Sequence, residues 1–172
     1  LLLLFGLPSN LTKLIISPYK AQSYAQHIPG NRILARYSSP LSYLTIMDNA
    51  TVPFRRARGL SFYNPVPLPH QLAVFVDGNG PYPLMHYDAQ VKAYLQHKLS
   101  SLPYYLLNQP EVVIADSMTG QRLLQAKAFH AKKITVLQED PNLMHLIMQT
   151  DEDDQTEAND QQYVHFLHSS IR

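Results

Sequence analysis

The sequence predicts an α/β chain in two parts, a small β-rich N-terminal region followed by the first half of a parallel sheet with helices between its strands. Three observations carry this. Short runs of Val, Ile, Leu and Tyr, punctuated by most of the thirteen prolines, precede Asp88 and suit strands and turns better than long helices. After Asp88 the apolar residues recur at helical spacing. Two compact apolar runs, Val112-Val113-Ile114-Ala115 and Ile134-Thr135-Val136-Leu137, then flank a helical stretch in the order that builds parallel sheets.

In the β-rich region, strands are expected at Arg32 to Tyr37, Ser42 to Asp48, Leu60 to Tyr63, Leu72 to Asp77 and Pro83 to Tyr87, each bounded by Pro, Gly, Asn or Asp. Pro29-Gly30-Asn31 and Asp77-Gly78-Asn79-Gly80 read as turns, because Gly and Asn accept positive φ.

One helix is expected over residues 89 to 107, with Val91, Tyr94, Leu95, Leu99 and Leu102 inward until Pro103 bends or ends it. The run Val112 to Ala115, between Pro110 and Asp116-Ser117, has the pattern of a strand buried on both faces. A helix from Gly120 to Lys132 follows, with Leu123, Leu124, Ala128 and Phe129 inward, then a strand at Ile134 to Leu137. Asp140-Pro141 is the N-cap and first-turn pair of another helix carrying Leu143, Leu146 and Ile147. The acidic stretch from Asp151 to Asp160 is too polar to pack and reads as a solvated loop, and Val164 to His168 reads as a third strand. Three parallel strands with two intervening helices make one half of a doubly wound, Rossmann-like sheet. Such a half leaves its first strand with an unpaired apolar edge, so the natural chain is expected to continue past Arg172.

Composition removes several classes of function. A net charge of +1 gives no global field to steer nucleic acid, and none is expected as a partner. The absence of cysteine removes disulfides, thiolate zinc sites and thiol nucleophiles, and suits a reducing compartment. His165 and His168 stand three apart on a strand and so point to opposite faces, and the acidic stretch has no framework to cage an ion; no metal is expected. Leu1 to Pro8 is apolar from its first residue, yet far short of the roughly 20 residues that span a bilayer and without a basic lead. It reads either as a buried strand or short helix, or as the trailing end of a membrane helix. Arg55-Arg56-Ala57-Arg58 reads as a solvated basic loop, with lipid headgroup contact as the lesser reading. Tyr104 and Tyr105 suit core packing or the lining of a pocket entrance.

An ordered series of segments adds a resemblance. Pro18-Tyr19-Lys20, Ile28-Pro29-Gly30, Ser38-Ser39-Pro40-Leu41, Thr51-Val52-Pro53-Phe54-Arg55, Gly59-Leu60-Ser61, Phe75-Val76-Asp77-Gly78 and Leu102-Pro103-Tyr104-Tyr105-Leu106-Leu107 precede Val112 to Gly120 and Thr135 to Pro141. In order and spacing the series resembles the spermidine-synthase-like, or polyamine aminopropyltransferase, domain that some bacterial proteins carry after a membrane region. The resemblance implies a methyltransferase-type Rossmann-like fold. Residues 1-20 would be the join to a membrane region, 21-88 the β-rich region, and 89-172 a partial nucleotide-binding domain truncated after its third strand. It implies aminopropyl transfer from decarboxylated S-adenosylmethionine to a polyamine, and a place in the cytoplasm or on the cytoplasmic side of a bacterial inner membrane. Homo-oligomerisation is left open.

Carried over position by position, the resemblance places a cofactor site on Asp116, Ser117, Gly120, Gln138, Glu139 and Ser170. Several depart from the family pattern. The loop Ala115-Asp116-Ser117-Met118-Thr119-Gly120 keeps only the last glycine of a Gly-x-Gly-x-Gly loop, and a side chain at each replaced position takes room from the ligand. Gln138 stands where a ribose-binding acid belongs, with Glu139 beside it as a substitute, and Ser170 replaces the adenine-contacting Asp two residues before Arg172. Asp77 and Tyr104 are the candidate substrate contacts, Asp77 reading also as a turn residue. The family's catalytic Asp follows a fourth strand, so no catalytic residue is assigned. Two alternatives accompany this reading: a non-catalytic interaction or regulatory domain of a membrane protein, and an S-adenosylmethionine-dependent methyltransferase.

Overall fold

In the computed structural model, which describes residues 15–152 and 163–168, the chain forms an antiparallel sheet followed by a separate parallel sheet with helices. The order is α1 (Ala21–Gln26), β1 (Asn31–Ser38), β2 (Tyr43–Asn49), β3 (Leu72–Val76), β4 (Asn79–Leu84), α2 (Ala89–Gln96), α3 (Leu102–Leu106), β5 (Glu111–Ala115), α4 (Gln121–Ala128), β6 (Lys133–Gln138), α5 (Pro141–Glu152) and β7 (Tyr163–His168). The first sheet runs β1-β2-β3-β4, each neighbour antiparallel, and the second runs β5-β6-β7, all parallel.

Alternation along the strands of the first sheet sorts its side chains onto two buried faces. On one, Ile46, Val74 and Leu84 pack against Leu146 of α5. On the other, Met47, Ala73 and Phe75 pack against Ala25 of α1, with Phe54 from the long loop before β3. The sequence reading contains no α1, whose six residues carry neither a strong apolar period nor a side-chain cap. Tertiary contacts hold it: Gln22 is buried, its Nε2 donates to Thr45 Oγ1 at 3.1 Å, and its N–H donates to Gly78 O at 3.0 Å.

Several expected boundaries move, each for a visible reason. The last strand of the first sheet spans Asn79–Leu84 rather than Pro83 to Tyr87, because Asp77 and Gly78, both at positive φ, close the hairpin in two residues. Gly80 carries φ +143 within that strand, where a β-carbon would lie 2.8 Å from the Val74 carbonyl oxygen, so only Gly fits. Leu60 to Tyr63 is not a strand; Leu60 makes a single antiparallel bridge with Lys98. That bridge also breaks the helix expected over 89 to 107. Gly59 O accepts from Leu99 N and His97 O from Ser61 N, drawing Lys98 into extended backbone, so α2 stops at Gln96 and a 3-10 turn at Leu99–Ser101 leads into α3. Pro103 therefore opens a helix instead of closing one. Val91, Tyr94 and Leu95 are buried as expected, but Leu99 and Leu102 are exposed.

In the second sheet, Val112, Ile134 and Val164 stand in one row, and Ile114, Val136 and Phe166 in the next. All six face Leu123 and Ala126 of α4 and Ile147 of α5. The opposite face is different: Val113 is 68% exposed and Ala115 and Leu167 are also open, so β5 is not buried on both faces as its composition suggests. Both α4 and α5 lie on the same side of the sheet. Leu124, one residue beyond Leu123, packs with Met85, Val91, Tyr94 and Leu95, joining α4 to α2.

Asp140 caps α5 as expected, its Oδ1 accepting from Asn142 N at 2.9 Å, and Leu143, Leu146 and Ile147 are buried. Asp151 and Glu152 continue α5 instead of opening a loop. The expectations for Leu1 to Pro8 and for the rest of the acidic stretch lie outside the described residues. Among the described residues no helix is long and apolar enough to cross a membrane.

Candidate functional site

Open α/β sheets bind ligands beyond the carboxyl ends of their strands. Here that edge is formed by the loop from β5 to α4 and by the residues that end β6. Asp116 turns the chain out of β5 with φ 52, while its N–H still donates to Leu137 O at 3.1 Å. Gly120 enters α4 with φ 69 and no side-chain cap, a backbone that a β-carbon would strain. Between them, Ser117 and Thr119 are buried, and Thr119 Oγ1 donates to Pro83 O at 2.7 Å, which fastens the loop to β4. Met118 is half-buried and Asp116 exposed.

Gln138 closes this edge from the other side. It is buried, its Nε2 donates to Ser117 O at 3.2 Å, and its Oε1 accepts from Glu139 N at 3.0 Å and Asp140 N at 3.3 Å. An amide oxygen has two lone pairs, and both are occupied. Buried Asp140 extends the network: Ser39 Oγ donates to its Oδ1 at 3.2 Å and Ser42 Oγ donates to its Oδ2. The hydroxyls of the β1–β2 connection thus meet the first turn of α5. Glu139 alone of this group is exposed beside the exposed Asp116.

Asp77 belongs to the same end of the molecule but is committed to backbone. Its Oδ1 accepts from Tyr43 N at 2.8 Å and its N–H donates to Tyr43 O at 2.9 Å, one residue from Ser42. Tyr104 packs along α4, lining a cavity with Ala115 and Arg122. Its ring stacks on Phe129 with centroids 5.2 Å apart, and Phe129 follows the end of α4 opposite to Gly120, about 12 Å along a helix of that length. Burial raises the pKa of its hydroxyl, although the Arg122 guanidinium pulls the other way. Ser170 lies outside the described residues.

Two cavities lie nearby, the second abutting the loop at Ala115. One of about 360 Å³ has Leu72, Leu84, Met85 and Leu146 at its floor and His70 and Gln149 on its rim. Another of about 290 Å³ runs along β5 between Tyr104, Arg122 and Gln125. Neither is lined by Asp116 to Gly120 or by Gln138 to Asp140. Among the described residues no group of three or more His, Cys, Asp or Glu is placed to hold a metal ion.

The structure therefore brings Asp116, Ser117, Gly120, Gln138, Glu139 and, through Ser42, Asp77 to one end, while Tyr104 stacks on Phe129 and shares a cavity with Ala115 and Arg122 beside the loop. Sequence reasoning missed Ser42, Thr119 and the Pro83 carbonyl as members of this network. Ser38-Ser39-Pro40 carried a signal, since hydroxyls beside a proline turn favour local capping, but their partner lies about a hundred residues away. No family model matches the chain, and no curated protein matches it.

Proposed function

We propose that the chain is a spermidine-synthase-like domain, with the first half of a Rossmann-like sheet, whose former nucleoside loop now serves as a joint, making it a non-catalytic interaction or regulatory module. The observation that carries this is Gln138. A residue that holds a ribose diol must present free acceptors outward, and a carboxylate does so with charge. Gln138 instead spends both ends inward, on Ser117 O and on the N–H groups of Glu139 and Asp140. Met118 and the side chain of Asp116 occupy positions where a cofactor needs close backbone approach.

Calorimetry on the chain with decarboxylated S-adenosylmethionine, S-adenosylmethionine and methylthioadenosine tests the reading. No saturable heat is expected at ligand concentrations up to about 1 mM. The same result is expected for the double variant Asp116→Gly with Met118→Gly, since the added room leaves Gln138 engaged. Saturable binding by the unmodified chain, or aminopropyl transfer to putrescine, overturns the proposal.

The exposed carboxylates of Asp116 and Glu139, at the ends of adjacent parallel strands, favour a second reading. In it, the edge keeps a weak S-adenosyl site and the domain is an aminopropyltransferase or a methyltransferase. Under that reading Glu139→Gln removes the binding heat.

A further inference from the structure

We infer that a second surface, at the end of the molecule carrying the loop before β3 and the turn into α3, docks on an anionic lipid bilayer. It stands on residues apart from the Gln138 network, so it holds or fails independently of the function proposed above.

Two segments build the surface. Ser61 N donates to His97 O at 2.9 Å and Leu99 N to Gly59 O at 2.7 Å, so residues 59 to 61 run antiparallel to 97 to 99. Tyr105 Oη donates to Gln96 O at 3.0 Å, which draws the start of α3 beside the same junction. Large apolar side chains project from both segments: Phe62 is 105% exposed, Tyr63 93%, Leu99 73% and Leu106 77%, with Leu102 and Tyr105 also open. Leu99, Leu102 and Leu106 follow one another at spacings of three and four, one stripe along the 3-10 turn and α3. An uncovered group of this size marks an interaction surface.

Charge selects the partner. Residues 49 to 76 and 89 to 110 contain Arg55, Arg56, Arg58, Lys92 and Lys98 and no Asp or Glu. Arg56 spends its guanidinium on the carbonyls of Gly80 and Pro81. Arg55 and Arg58 are exposed, and among the described residues neither meets a carboxylate. Aromatic and aliphatic side chains on two segments joined by backbone bonds, with Arg55 and Arg58 just upstream in the same loop, match the two zones of a membrane interface: rings and leucines enter the acyl boundary while the cations meet phosphate. The alternatives fit less well. Leucine stripes gain nothing from nucleic-acid phosphates, and a contact between two copies of this patch would bring two sets of cations together with no carboxylate from these segments to offset them.

The test is co-sedimentation of the full chain with vesicles of phosphatidylcholine alone and of phosphatidylcholine mixed with phosphatidylglycerol. Binding is expected to the mixed vesicles and to weaken as salt is raised. Phe62→Ser with Tyr63→Ser is expected to lower the partition coefficient at least tenfold, roughly. Arg55→Gln with Arg58→Gln is expected to remove most of the preference for anionic vesicles, about tenfold. All four side chains are exposed, and an unchanged circular-dichroism melt certifies the fold of each variant. If both variants bind like the unmodified chain, the contact lies elsewhere, for instance in the apolar run Leu1 to Leu7, and the inference is wrong. Failure of the unmodified chain to bind also overturns it, as does concentration-dependent self-association that Phe62→Ser with Tyr63→Ser abolishes.

Discussion

The antiparallel sheet and the parallel sheet invert the usual expectation. Antiparallel sheets commonly show one face to water, and parallel sheets are commonly covered on both. Here β2 and β3 carry buried side chains on both faces, between α1 on one side and α5 on the other, whereas among the described residues β5 to β7 are covered on one face only. Strand composition did not determine which sheet was enclosed. The placement of α4 and α5 did, because both cross the same side of the parallel sheet and turn their outer surfaces to α2 and to the first sheet.

The largest expected effect tests the enclosed sheet. Phe75 is fully buried among Met47, Ala73 and Ala25, and Phe75→Ala should cost about 3 to 5 kcal/mol, read as a drop in the urea midpoint at constant slope. A cost below about 1 kcal/mol would mean that this face is loosely packed and that the contrast between the sheets is false. An intermediate effect tests the connection between them. Asp140→Ala removes the cap of α5 and leaves the hydroxyls of Ser39 and Ser42 without their acceptor, so about 2 kcal/mol should be lost. Asp140→Asn, which keeps an acceptor oxygen, should recover part of it. The smallest effect belongs to the open face: Val113→Thr preserves shape and branching on an exposed position and should change the midpoint by no more than about 0.5 kcal/mol. A clear loss there would show that something covers β5 in solution.

The sequence reading worked where the determining signal was local. The apolar runs at Ile134 and Val164, the cap at Asp140 and the burial of Val91, Tyr94 and Leu95 are all set within a few residues, and the structure has them. It failed where a distant segment decided. The break after Gln96 depends on Gly59 and Ser61 claiming backbone bonds from residues 97 to 99. The exposure of Val113 depends on which side of the sheet two helices occupy, which no window around β5 records. The candidate loop divides in the same way. The side chains at Asp116, Met118 and Gln138 could be read directly, but the consumption of both ends of the Gln138 amide needed the positions of Ser117 and Asp140 in space.

Helix α5 seats Leu146 in the core of the antiparallel sheet and its immediate neighbour Ile147 in the core of the parallel sheet. Successive residues on a helix point about 100° apart, so one rigid rod serves two sockets at a fixed angle. A roll of that rod cannot suit one socket without unseating the other. The packing of each sheet therefore constrains the other through a single helix.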